Sequence, residues 1–150
     1  MIKRKLSRKN IERENFNIWN AFIDILAMED ESKLTEIQKN AQRAFWYEAE
    51  VQNGGHIQYF ENTNLNDYSP VIKSLNIIGA HDYAILLEKA VKAYFKDGTK
   101  NINNAGDFIK EALNEINLAL DFEYSKINPD MNYYLKEYLN KYFDEFIEIA

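Results

Sequence analysis

The side chains able to do chemistry are few: two imidazoles, His56 and His81, a surplus of carboxylates, and no thiol. Without cysteine, thiolate nucleophiles, disulfides and Cys-ligated zinc sites are excluded. Neither histidine has a His or Glu three or four residues away, the spacing that puts two metal ligands on one helix face. Asp82, beside His81, lies on a different face. A di-metal helical bundle would need two Glu-x-x-His elements, and the chain has none. A Gly-x-Ser-x-Gly elbow is also missing. Carboxylates at helical spacing, such as Asp107, Glu111 and Glu115, read as solvated helix flanks. No catalytic residue, metal ligand or cofactor is therefore assigned, and the chain reads as a non-catalytic binding protein.

The densest polar constellation is Glu50, Asn53, Gly54, Gly55, His56, Gln58, Tyr59, Phe60 and Asn62. Asn-Gly-Gly tolerates the left-handed backbone that closes a helix, so this stretch predicts a tight reversal with a short helix folded back after it. Glu50, one turn earlier, is expected to accept from the backbone N–H groups that open the short helix. Gln58 and Asn62 tie the loop from the other side, and Tyr59 and Phe60 anchor it to the core. That is a structural clasp. The same polar groups, Glu50, Asn53, His56 and Gln58, would serve a small-molecule or enzyme site if they opened onto a cavity.

The elements that must position these residues are helices. Apolar residues recur at helical spacing along nearly the whole chain, and alternating strand-like runs are missing. The expected architecture is all-α: one compact domain, residues 1–150, of about six to eight helices. Helices are predicted from about Ser7 or Asn10 to Met28, from Lys33 to Gln52, and from His56 to Asn62. Ser69-Pro70 signals a start, with Ser as cap, for a helix running from Pro70 to Ile78, and another follows from His81 to Phe95. Lys96-Asp97-Gly98 and the polar segment 99–104 interrupt. A helix capped by Asn104 is then expected over 105–120, its inner face holding Phe108, Ala112, Leu113, Ile116 and Leu120, followed by a brief turn capped by Asp121. Asn128-Pro129 opens a long amphipathic C-terminal helix reaching Ile149. Tyr133, Tyr134, Tyr138 and Tyr142 on it are either core or a dimer face.

Charge is unevenly spread. Residues 1–14 hold six basic and two acidic side chains, +4, leaving −10 for the rest of a chain whose total is −6. An acidic body is repelled by nucleic-acid phosphates, so direct DNA binding is not expected. The basic leader, 1–10, reads as a solvated, flexible helix start. No export signal and no apolar run of about 20 residues occurs, which predicts a cytoplasmic protein off the membrane.

At the Asn-Gly-Gly stretch the sequence resembles a bacterial all-α domain family, largely of unknown function, that includes a DNA-mimic protein. The family's pattern is Glu-x-x-Asn-Gly-Gly-Phe-x-Gln-aromatic-Phe followed by Asn, with His56 here in place of Phe. Downstream, Ser74 to Ala80, Leu86, Leu87 and Ala90, and Leu120-Asp121-Phe122-Glu123-Tyr124 extend the likeness over roughly 34–148. The resemblance implies an all-α fold, self-association, and carboxylates that imitate DNA phosphates on the binding face of a nucleic-acid-binding protein. The candidate phosphate-like acids are Asp24, Glu29, Asp30 and Glu31, and separately Glu137, Asp144, Glu145 and Glu148. Toxin neutralisation in the manner of an immunity protein is a second binding role for an acidic helical chain.

Overall fold

The computed structural model describes residues 1–13, 16–95, 104–112 and 114–150, with the backbone path alone at 108, 109, 111 and 112. In chain order the elements are β1 (Arg4–Leu6), α1 (Arg8–Arg13), α2 (Asn17–Met28), a 3₁₀ turn (Glu31–Lys33), α3 (Glu36–Thr63), α4 (Ser69–Ile77), α5 (His81–Tyr94), α6 (Ala105–Ala112), α7 (Glu115–Lys126), α8 (Met131–Lys141), α9 (Phe143–Phe146) and β2 (Ile147–Ile149). The all-α class holds, with one two-stranded sheet beside the helices.

α3 is the axis of the fold, packed against α2, α4, α6, α7, α8 and α9. Its start is a capping box: the Gln38 N–H donates to Thr35 Oγ1 (3.2 Å) and the Thr35 N–H to Gln38 Oε1 (3.0 Å). Thr-x-x-Gln is a readable start signal, and it places the helix N-terminus three residues later than Lys33. The inward face of α3 is partly polar. Gln38 is fully buried, and its Nε2 donates to the carbonyls of Ile2 (2.6 Å) and Glu145 (2.8 Å). Gln42 Nε2 donates to Leu26 O (3.1 Å) and Glu29 O (2.7 Å), carbonyls that the end of α2 leaves without helical partners. Asn40 accepts from Ser74 Oγ (2.9 Å). Buried amides with every donor placed tie four distant segments to one helix.

Several expectations are corrected. The first helix is two, α1 and α2, with residues 14 and 15 outside the described ones. The helix expected over 105–120 is also two, because Asn114 caps α7 by accepting from Ile116 N (2.8 Å). Asp121 lies inside α7 and caps no turn of its own. Asn104 does cap α6, accepting from Asp107 N (2.9 Å). Ser69 is the first residue of α4 rather than its cap, its N–H donating to Asp67 Oδ1 (2.9 Å). The cap of α8 is Asp130, which accepts from Tyr133 N (3.0 Å). The stop at Lys96-Asp97-Gly98, the segment 99–103, Leu113, and the side chains of Phe108, Glu111 and Ala112 lie outside the described residues.

The largest difference is at the termini. The C-terminal helix stops at Lys141, and the chain continues through the single turn α9 into β2, which pairs in parallel with β1: Arg4 opposite Ile147, Lys5 opposite Glu148, Leu6 opposite Ile149. Three-residue strands carry too little alternation to be read from sequence, and their pairing spans the whole chain. Packing supplies what the pattern lacks. Phe146 and Ile147 are buried, and Phe146 meets Phe22 edge-on with ring centres 4.8 Å apart. No helix among the described residues is long and apolar enough to cross a membrane.

Gln38→Ala removes two bonds to buried carbonyls and half of the capping box, and should destabilise the fold by about 2–3 kcal/mol. Hydrogen exchange is the check: the β1–β2 amides and Ala150 N–H, which donates to Leu6 O, should lose protection before those of α3 and α4 do.

Candidate functional site

α3 breaks where Asn-Gly-Gly predicts it. Gly54 and Gly55 leave helical geometry, Gly55 at φ +82° and ψ 179°, a conformation in which any Cβ is strained. A Cβ at Gly55 would also strike the Asp121 carboxylate, and one at Gly54 would strike the Gln58 side chain. Both glycines are thus required by close approach as well as by backbone angle. Asn53 is exposed at the bend, while Tyr59 and Phe60 on the returning segment are buried.

The expected partner of the reopened helix start is corrected. The His56 N–H donates to Asp121 Oδ1 (2.9 Å), contributed by α7, and not to Glu50. Glu50 instead accepts from both residues that were expected to tie the loop, Gln58 Nε2 (3.0 Å) and Asn62 Nδ2 (2.8 Å), all on one Oε2.

His56, expected as a capping or surface residue, is fully buried. Its Nδ1 lies 2.8 Å from Asp121 Oδ1 and its Nε2 2.7 Å from the Tyr47 hydroxyl. A carboxylate can only accept, so the neutral ring carries its proton on Nδ1 and Nε2 accepts from Tyr47. The sequence reading flagged both His56 and Asp121 but did not join them. The signal lay in the two family-like stretches, which meet in space here. Tyr124, in the same Leu-Asp-x-x-Tyr element, donates its hydroxyl to Glu48 in a short contact, and its ring stands edge-on to Tyr47 (5.4 Å) and against Tyr83 (4.9 Å). Burial first, then neighbouring phenols and carboxylates, pushes the Tyr47 phenol well up; burial first, then Glu48, raises Tyr124 strongly, and burial raises Tyr59.

Carboxylates at this bend have neutral partners: Glu48 a phenol, Glu50 two carboxamides, Asp121 an imidazole and a backbone amide, and nearby Glu61 the Tyr94 hydroxyl (2.6 Å). The first sequence-selected acidic group is engaged differently. Arg4 spans Asp24 (2.7 Å) and Glu29 (2.9 Å), Arg43 holds Glu31 (2.7 Å), and Asp30 accepts from Ser32 N and Oγ (2.9 and 2.6 Å), which lowers its pKa. In the second group Glu137, Asp144 and Glu148 are exposed and Glu145 is half-buried; none is in an ion pair among the described residues. Tyr138 is core, Tyr134 and Tyr142 are half-buried, and Tyr133 is exposed.

Surface grooves lie elsewhere. One of about 610 Å³ sits between the start of α2 and α8, lined by Phe16, Trp19, Tyr133 and Lys136 among others; another lies between α5 and α7 at Ile85 and Phe122. Neither these nor the two beside α4 are lined by Glu50, Asn53, His56 or Gln58. Among the described residues no group of three or more His, Cys, Asp or Glu could hold a metal ion. In chemical terms the bend is a rigid hydrogen-bonded unit that displays negative charge at its edge.

The chain matches the family described as DMP19-like protein over residues 32–145, close to the span of the resemblance read from the motif. No curated protein and no solved structure matches it.

His56→Phe would leave the Tyr47 hydroxyl and one Asp121 interaction unmet and should cost about 2–3 kcal/mol. Adding Tyr47→Phe removes the stranded hydroxyl and should restore part of that loss, measured by urea unfolding. Phenols whose folded pKa is raised contribute stability that is complete below the unfolded value near 10 and is lost as pH rises above it, since only the unfolded chain releases those protons there. Stability should thus fall by up to about 1.4 kcal/mol per pH unit for each buried tyrosine above pH ~10. Tyrosinate absorbance should rise together with unfolding rather than ahead of it.

Proposed function

The chain belongs to the DMP19-like protein family, and on that ground we propose that it acts by binding another protein, offering carboxylates where that partner's nucleic-acid-binding face takes the phosphates of DNA. The observation that carries this reading is the way Glu48, Glu50 and Asp121 are held. Neutral donors fix their positions without cancelling their charge. A phosphate imitator needs both properties: full negative charge and little freedom left to lose on binding.

Duplex DNA carries one charge per about 1.7 Å of axis, and a basic protein surface is built around that density. A carboxylate closed by a lysine or arginine of its own chain contributes little to such a surface. Glu48 and Glu50 sit on consecutive turns of one straight helix segment, α3 before its bend, so their spacing is set by the helix and not by side-chain rotamers. Glu137, Asp144, Glu145 and Glu148, where α8 gives way to β2, form the second array in this reading, again with no ion pair among the described residues.

Immobilised protein should retain a nucleic-acid-binding protein from its native lysate. Salt should release that protein as the Debye length shrinks from about 10 Å at 0.1 M to about 3 Å at 1 M, and competing duplex DNA should release it too. Glu48→Gln with Glu50→Gln keeps an acceptor oxygen at each position and removes two charges, so retention should fall by about tenfold and its salt dependence should flatten. Retention indifferent to salt, to duplex and to these substitutions would overturn the proposal.

A further inference from the structure

The acids Asp24 and Glu29 form a notch already occupied by a guanidinium. Arg4 Nε donates to Asp24 Oδ2 (2.7 Å) and its Nη2 to Glu29 Oε1 (2.9 Å), so one planar group bridges two carboxylates from different turns of the chain. This is the geometry in which an arginine side chain spans two adjacent oxyanions, and a lysine ammonium, being a point charge, does not reproduce it.

The notch is built independently of its occupant. Asp24 stands on α2, and Glu29 is the cap residue just after it, its carbonyl receiving Gln42 Nε2 (2.7 Å) and its N–H donating to Ile25 O (3.1 Å). The backbone that delivers Arg4 is likewise fixed by other contacts: β1 pairs with β2, and Gln38 holds Ile2 O. The Arg4 side chain can therefore leave by rotating its own bonds while the leader stays in place. Its side chain is 26% exposed and that of Asp24 53%, so the ion pair opens directly to solvent.

We propose that this notch is an arginine-binding subsite, kept occupied by Arg4, and that a partner's arginine binds by exchange with it. The proposal deepens the reading above, since it identifies one partner side chain and a self-masking contact that regulates the same acidic surface. Exposed ion pairs are individually weak, so exchanging one guanidinium for another is close to balanced. Such a contact suppresses loose binding of any cation and yields to a segment anchored elsewhere as well.

The test is titration of the purified full chain with a short oligo-arginine peptide at low salt, followed by calorimetry. Arg4→Ala should tighten binding by about fivefold, the equivalent of one exposed ion pair removed as competitor. Lys5→Ala, which removes the same charge from the same strand without vacating the notch, should not. In the Arg4→Ala background, Asp24→Asn with Glu29→Gln should abolish the gain, and an oligo-lysine peptide should show a smaller gain. An equal gain from Lys5→Ala, or none from Arg4→Ala, overturns the proposal. Should Arg4→Ala fold poorly, the wild-type chain reads the exchange by NMR: the Arg4 Nε–H resonance must move as peptide binds, and an unmoved resonance under saturating peptide is equally fatal. Because the peptide assay involves no natural partner, its failure and the failure of the DNA-mimic reading are separately visible.

Discussion

When α3 turns back at Gly54 and Gly55, the N–H groups that open its second segment lose their helical acceptors, and the first of them, on His56, is buried among aromatic rings. An unpaired amide there would cost about 1–3 kcal/mol. Asp121, reaching in from α7, removes that cost, and with the same oxygen it orients the His56 ring. The ring in turn orients Tyr47. One carboxylate thus connects the helix break, the packing of α7 on α3, and the buried hydrogen-bond chain behind them. The glycine requirement follows from the same contact, because the space that a Cβ at Gly55 would need is filled by that carboxylate.

Around this centre the protein handles its acids in two ways. Near the leader, arginines close them: Arg4 over Asp24 and Glu29, Arg43 over Glu31. At the bend, phenols, carboxamides and an imidazole hold them. Both arrangements immobilise a carboxylate, but only the second leaves its charge available at a distance. The difference separates acidic side chains that steady the fold from those able to act on a partner, and formal net charge does not distinguish the two.

The buried polar side chains of α3 give the molecule its closure. Gln38 joins the first and last segments, Gln42 finishes α2, and Asn40 reaches α4 through Ser74. None would be placed inside by an apolar-stripe reading, which selects Leu34, Ile37, Ala41, Ala44 and Val51. They sit inward because helix ends and short strands leave carbonyls that need donors, and a glutamine amide can serve two at once.

By itself the sequence determined the helical class, the break at Asn53-Gly54-Gly55, the starts near Ser69 and Asn104, and the family to which the motif belongs. Each of these is local: helical periodicity, glycine conformation and capping act within a few residues, and they were readable for that reason. Tertiary structure alone decided that Asp121 rather than Glu50 receives the His56 amide, that His56 is a buried link to Tyr47, that the chain ends pair as β1 and β2, and that Arg4 covers Asp24 and Glu29. Those contacts join residues from 20 to more than 100 positions apart. Their energies depend on which elements pack together, and many pairings of one carboxylate with one donor are equally consistent with the linear order. Composition could supply the acids, but only packing selected which of them keep their charge exposed.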